Sequence, residues 1–280
     1  MKSTNYSQVA AFYDQNRGRR RIHPDEQLLK ALEKFSGKLG PDGAGRRPFR
    51  VLDLGCGTGN YLDVQMQVCE QMDVDFEIEW YGLDASDAML EKARQKLSDR
   101  GENLDRYEAA VVYLQPGDAQ ALPYDDNFFD FIACNFAFHH FPDKGLVLDE
   151  VSRVLTSSGR FKIWNIQPEY MPHWWVYRFF PAARLEDSER FWSENRLFLE
   201  LEGRGFSLRL KTTRTLQQRD LEAVLEDARR RDISELANLE DGVYRAGVSA
   251  IESMNSSGTV SVVLDEFAQL FCTAFKGDAE

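Results

Sequence analysis

Residues 51–60 read Val51-Leu52-Asp53-Leu54-Gly55-Cys56-Gly57-Thr58-Gly59-Asn60. An apolar run closes on an acidic residue, and three glycines follow at alternate positions. The run has the pattern of a short buried strand and the glycines that of a tight turn. Glycine has no Cβ, so a ligand can lie directly against the backbone and a positive φ costs little. The residues after the turn read as a helix, whose first N–H groups point at the same spot. A strand, a glycine turn and a helix in this order place the chain among open α/β sheets that bind nucleotides at the carboxyl ends of their strands.

The glycine spacing narrows the choice. The dinucleotide fingerprint has glycines at its first, third and sixth positions. Here the sixth position is Asn60 and the third glycine, Gly59, arrives one residue early. A phosphate-cradling loop is disfavoured further, because no Gly-Lys-Ser/Thr follows.

The rest of the chain repeats the strand–helix alternation. Residues 24–35 carry Leu28, Leu29, Leu32 and Phe35 and predict an amphipathic helix with Pro24 in its first turn. Strands are predicted at 50–54, 78–84, 109–114, 128–134 and 160–166. Ser86 is a candidate cap for a helix over 87–99. A helix is expected at 142–155, with apolar Leu146, Val147, Val151 and Leu155, ended by Ser157-Ser158-Gly159. The run at 128–134 is apolar apart from Asp130, as in a strand buried on both faces. Beyond Ile166 the pattern changes to a dense aromatic stretch, a helix at about 187–203, a strand at 207–213, a helical region at 217–255 and a last strand at 267–275. The expected fold is a three-layer α/β/α sandwich around a seven-stranded, mostly parallel sheet. It is read as one domain: an N-terminal helical or lid segment (1–48), a cofactor-binding core (49–166) and a substrate-side elaboration (167–280).

Composition bounds the partners. The 280 residues carry a net charge of −12, which argues against a nucleic-acid partner. The exception is a basic knot at Arg17, Arg19, Arg20 and Arg21. The four cysteines, Cys56, Cys69, Cys134 and Cys272, form no metal-binding spacing. With no apolar leader at residues 1–5 and no membrane-length apolar run, the chain reads as cytoplasmic.

Several segments, in order, resemble the class I S-adenosylmethionine-dependent methyltransferases, closest to the quinone-biosynthesis-like group that acts on small molecules. Residues 51–59 resemble that family's motif I, and Asp84 the acid closing its second strand. Gly117-Asp118-Ala119-Gln120-Ala121-Leu122-Pro123 resembles its "GDA..LP" segment, Phe129-Asp130-Phe131-Ile132 its "FD.I" strand, and Glu150-Val151-Ser152-Arg153-Val154-Leu155 its "E..RVL" helix. The family usually continues Lys-Pro-Gly-Gly, whereas this chain has Thr156-Ser157-Ser158-Gly159, which leaves that turn open. Residues 167–280 resemble the group only in layout.

The resemblance implies S-adenosylmethionine as cofactor and assigns roles. The backbone at Gly55, Cys56, Gly57 and Gly59 would pass beneath the cofactor, with its amino-acid end near Asp53. Asp84, beside Ala85, would accept from both ribose hydroxyls, which suits an acceptor-only carboxylate. Asp118 and Ala119 would meet the adenine, and Asn135 and Phe136 the methionine portion. Each polar residue has a plainer alternative: Asp84 as a helix-initiating acid, Asp118 as a turn residue, Asn135 as a cap.

Methyl transfer from a sulfonium needs alignment and water exclusion, and a base only when the acceptor must lose a proton. Histidine is the natural base near neutral pH. His139 and His140, after the fourth strand, are the candidate catalytic residues; His23 is expected to be structural or exposed. The aromatic stretch, with His173, Trp174 and Trp175, either walls an apolar or aromatic small-molecule acceptor or is core. Tyr6, Tyr13 and the arginine knot are expected to close over the cofactor from the other side. Two other classes stay open: a protein or RNA methyltransferase, and a cofactor-binding protein without catalysis.

Overall fold

The computed structural model describes Asp14 and residues 22–36, 47–72, 74–101, 112–258 and 260–277, side chains of 99–101 excepted. Tyr6, Tyr13, the arginine knot and residues 109–111 of the third predicted strand lie outside them.

A seven-stranded sheet in the order β3-β2-β1-β4-β5-β7-β6 forms the centre. The strands are β1 (Phe49–Leu54), β2 (Ile78–Asp84), β3 (Val112–Pro116), β4 (Phe129–Asn135), β5 (Leu155–Ile166), β6 (Phe206–Asp220) and β7 (Val262–Lys276). The first five pair in parallel, and β7 runs antiparallel to both β5 and β6. The helices are α1 (Glu26–Ser36), α2 (Asn60–Cys69), α3 (Asp87–Gly101), α4 (Lys144–Val154), α5 (Trp175–Phe179), α6 (Pro181–Arg190), α7 (Glu194–Glu202), α8 (Leu221–Arg230), α9 (Ser234–Ala237) and α10 (Asp241–Ser256).

Alternation along the central strands divides the core. Val51, Phe131 and Ala133 pack with Leu28 and Leu32 of α1, Leu62 and Met66 of α2 and Leu90 of α3. Leu52, Leu54 and Ile132 pack with Val147 and Val151 of α4 and Leu197 and Leu201 of α7. A third apolar cluster joins Val263 and Ala268 of β7 to the aromatic stretch, α8 and α10. The carboxyl ends of the central strands β1, β2 and β4 are Leu54, Asp84 and Asn135.

Where the structure departs from expectation, the cause is local. The stretch Thr156-Ser157-Ser158-Gly159 is not a turn ending a helix but part of β5, bulged so that Leu155 pairs with Phe129 and Arg160 with Phe131. A Cβ on Gly159 would come within 2.6 Å of Leu155 Cδ2 and 3.2 Å of the Phe129 carbonyl oxygen, so the bulge fits glycine. Leu146 is half exposed, because α4 turns only Val147, Leu148, Val151 and Val154 of its apolar residues inward. The helix expected over 187–203 is two: Phe191 and Trp192 break it, and the Ser193 side chain accepts from the Arg196 N–H to start α7. The strand expected at 207–213 runs on to Asp220, so residues 217–220 are strand, and 221–256 hold three helices rather than one. The last strand is 15 residues long, paired along its whole length with β6.

Candidate active site

The glycine turn is built as the spacing demands. Gly55, Gly57 and Gly59 all have positive φ, at 77°, 53° and 75°. A Cβ on Gly55 would lie 2.5 Å from the Ala137 Cβ, and one on Gly59 3.2 Å from the Ala93 Cβ. A Cβ on Gly57 would meet nothing within 4 Å. Two glycines therefore permit close packing, and the middle one faces open space with its backbone bare.

The turn is held by β2. The N–H groups of Gly55 and Cys56 donate to the Leu83 carbonyl at 2.8 and 3.1 Å. The Asp84 carboxylate accepts from Gly57 N–H and Ser86 N–H, both at 2.8 Å, one on each oxygen. Each oxygen keeps a further acceptor site. Burial raises the Asp84 pKa above the usual carboxylate range, and the two backbone bonds oppose this. Ala85, beside it, is exposed.

Asp53 lies at the buried end of this surface, 2% exposed, with the Asn135 side chain as the neighbour of its Oδ1 and no other hydrogen-bond partner there among the described residues. Burial pushes its pKa up to about 8, helped by the charge of Asp84; Lys162 and Asn135 pull it back. The Asn135 side-chain oxygen and nitrogen are buried and have no partner besides Asp53 among the described residues. Buried polar atoms short of partners are rare and call for an explanation. Here a carboxyl and an amide with spare hydrogen-bonding capacity share one end of the sheet with a bare glycine backbone. The next residue, Phe136, has φ 51°, uncommon for an aromatic residue. Its N–H donates to the Trp164 carbonyl at 2.7 Å, and its ring packs 4.7 Å from that of Trp164.

The remaining predicted residues fall as follows. Asp118, exposed at the end of β3, accepts from the Gln120 N–H at 2.9 Å, an Asx-type turn, while Ala119 is buried. His139 and His140 sit on a short 3₁₀ turn (Phe138–His140) after β4, next to the glycine turn, since a Cβ on Gly55 would touch Ala137. His139 is buried, with the Asn165 side chain as the one polar partner of its ring among the described residues. Burial, reinforced by His140, Arg190 and Lys144, drops its pKa well below the usual imidazole value. His173 is exposed, and its backbone N–H donates to Glu266. Trp174 and Trp175 are buried in the third apolar cluster, Trp174 against Tyr177 and Phe267. Of the two roles open to the tryptophans, this placement is the core one. His23 is exposed.

Sequence reasoning missed two arrangements. Asp25 caps α1, accepting from Gln27 N–H at 3.0 Å, while its other oxygen accepts from Lys162 Nζ at 2.6 Å and Tyr61 Oη at 2.7 Å. A lysine inside the apolar strand Phe161-Lys162-Ile163 was the one available signal. Asp14 accepts from Thr58 Oγ1 at 2.6 Å, Asn60 Nδ2 at 2.9 Å and Lys96 Nζ at 2.8 Å, clasping the start of α2. Among the described residues no His, Cys, Asp and Glu cluster could hold a metal ion, and no helix is long and apolar enough to cross a membrane. All four cysteines are buried and free.

Comparisons with known proteins agree with this geometry. The family model "Methyltransferase domain" matches residues 52–163. An uncharacterized methyltransferase, YcgJ, of Bacillus subtilis is 36% identical over 120 residues, 41% of this chain and 40% of that protein. A demethylmenaquinone methyltransferase of Lactiplantibacillus plantarum is 34% identical over 131 residues, 45% of this chain and 51% of its own length. The chain thus spans about half or less of these relatives. The solved structure of the Bacillus subtilis YcgJ protein superposes on 90% of this chain and 100% of its own, with a TM-score of 0.53 and 21% identity. The family model thus matches the segment, residues 52–163, that carries the glycine turn, Asp84 and the strand ending in Asn135, and the solved structure shares the chain's overall fold.

Proposed function

We propose that the chain is an S-adenosylmethionine-dependent methyltransferase acting on a small-molecule acceptor. The observation that carries this is the buried pair Asp53 Oδ1 and the Asn135 side chain, which have each other but no further hydrogen-bond partner among the described residues, beside the bare backbone of Gly57. The donor set suits the cofactor. Asp53 offers a carboxylate to its ammonium, and Asn135 offers an amide to its amino-acid end. Asp84, fixed from behind by two backbone N–H groups, offers its free acceptor sites to the ribose hydroxyls. Asp118 and Ala119 are assigned to the adenine.

Bound S-adenosylmethionine supplies a methyl group already activated on a sulfonium. The protein's part is then orientation and exclusion of water. The strained Phe136 backbone fixes the direction in which the 138–140 turn leaves the sheet. That turn carries His139 as a neutral imidazole at pH 7, able to orient an acceptor through a ring nitrogen. His140, at the same turn, is the nearer candidate for taking a proton from an acceptor that must lose one. His173, Trp174 and Trp175 bear on the acceptor, in this account, through the core that supports α6 rather than as a wall.

The small-molecule assignment is supported by the acidic balance of the chain and by a curated relative named for demethylmenaquinone. The test is transfer of tritium from methyl-labelled S-adenosylmethionine in the presence of separate pools of small phenols, acids and amines, of RNA and of protein. Label in a small-molecule pool is the expected result. Label confined to RNA or protein contradicts the substrate class, and cofactor affinity without transfer to any pool contradicts the activity.

A further inference from the structure

The 138–140 turn and the break between α6 and α7 are clamped together by aromatic contacts, and the clamp gathers positive charge. His139 stacks on Phe191 at 4.2 Å and an interplanar angle of 16°, and its ring centre is 3.8 Å from that of His140. Arg190 holds its guanidinium 5.7 Å over the same Phe191 ring. Phe138 meets Trp192 edge-on at 5.5 Å, and Arg196 lies 4.3 Å over the Trp192 face. Lys144, at the start of α4, donates to the Phe141 carbonyl at 3.0 Å. Lys144, Arg190 and His139 are 5%, 7% and 5% exposed, and Arg196 stands at the exposed rim.

Little negative charge answers them. Asp187 approaches Arg190 only to 3.6 Å, and one Arg190 terminal nitrogen has no hydrogen bond. Burial, the charge of Glu235 and that of Glu186 raise the Asp187 carboxyl above the usual carboxylate range, while Tyr177 and Arg190 pull it back. Asp143 is exposed, and its side chain accepts from the Leu146 N–H. Burial, with Arg190 and Arg196, brings the Lys144 ammonium down to about 8. In a chain with 46 acidic and 34 basic residues, a buried group of cations short of carboxylates is not a consequence of composition. Buried charge with one distant carboxylate is incompletely compensated, so an entering anion would stabilise Lys144 and Arg190 further. The cluster adjoins the cofactor edge, because Gly55 packs against Ala137 and Phe141.

Resting on the methyltransferase reading, we propose that Lys144, Arg190 and Arg196, with His139 and His140 beside them, bind an anionic group, a carboxylate or phosphate, carried by the methyl acceptor. The apolar part of the acceptor then lies toward the cofactor, and the anion fixes its register.

The experiment is calorimetric titration of the full chain with inorganic phosphate and, separately, with benzoate, each with and without saturating S-adenosylhomocysteine. At least one anion is expected to bind, and the tighter of the two identifies the source. Binding is expected to fall at least ten-fold in Lys144→Met and Arg190→Met and about three-fold in the rim variant Arg196→Met, whose exposed position spares the core. It is expected to be unchanged in Arg229→Met, an exposed arginine paired with Glu252. Absence of binding by both anions, or equal weakening in Arg229→Met, or no change in Arg196→Met and Lys144→Met, overturns the proposal. S-adenosylhomocysteine affinity is read in the same titrations. Its loss would count against the cofactor assignment, while the arm without it still decides the anion site.

Discussion

Asp53→Asn separates the demands of folding from those of binding. The wild-type carboxyl has a folded pKa of about 8 against 3.8 for an unperturbed one. The sign follows from linkage: a raised acid pKa adds stability that is full below pH 3.8 and lost as pH rises through about 8. Over that window the folded state retains a proton that the unfolded chain has released. At about 1.4 kcal/mol per unit, a rise of about four units sets a ceiling of roughly 6 kcal/mol. Relaxation and water entry around a buried charge leave about 2–3 kcal/mol of that. The neutral amide of the Asp53→Asn variant carries no such cost. For 280 residues, with about 2.1 cal/mol/K of unfolding entropy per residue, the gain is about 3–5 °C in Tm. Differential scanning fluorimetry from pH 4 to 9, without cofactor, is expected to show coincident melting at the acid end and a widening gap toward pH 8. The same variant is expected to weaken S-adenosylhomocysteine binding by about 2 kcal/mol, roughly thirty-fold, because a charged donor loses its carboxylate. Equal melting at every pH would refute the reasoning about burial, and undiminished affinity would refute the role of Asp53 at the cofactor's ammonium.

Three further substitutions probe the surrounding structure. His139→Phe keeps a ring against Phe191 but removes a group whose folded pKa is depressed; wild type loses stability as pH falls below 6.5, and the variant is expected to lose about 1–2 kcal/mol less between pH 6.5 and 5 in urea titrations. Lys162→Met leaves the Asp25 carboxylate, 1% exposed, with Tyr61 but no cation, and is expected to cost about 3–5 kcal/mol in the same assay. Gly55→Ala forces a Cβ to within 2.5 Å of Ala137 at a φ of 77° and is expected to cost about 2–4 kcal/mol and to abolish transfer, whereas a merely local strain would leave turnover near normal in the folded fraction.

Much of the cofactor side was legible because it is local. The strands β1, β2 and β4 are short runs whose apolar residues are buried on both faces, and Gly55, Gly57 and Gly59 occupy positions where backbone geometry forbids most side chains. Asp84 and Asn135 are readable because they end strands. The remainder depends on partners distant in sequence. The outer half of β6 carries exposed polar and charged residues, and that of β7 buries Asp265 and Glu266 while exposing Val262 and Leu264, so neither pattern marks a strand; their pairing with each other does. The helix break at Phe191 and Trp192 has no proline or glycine, and is made by those rings packing on His139 and Phe138. Lys144 and Arg190 look like ordinary surface residues of two helices, and only the meeting of those helices with the 138–140 turn buries them. Trp174 and Trp175 read as readily for a wall as for a core, and burial in the third cluster is what distinguishes the two.

The central claim is that the edge formed by Gly57, Asp53 and Asp84 holds S-adenosylmethionine. Isothermal calorimetry of S-adenosylhomocysteine with wild type and Asp84→Ala tests it most directly. The account predicts one site per chain in wild type and a loss of about 3 kcal/mol, roughly a hundred-fold, in the variant, as two charge-assisted hydrogen bonds disappear. Absence of binding by wild type, or equal affinity in the two proteins, would contradict it.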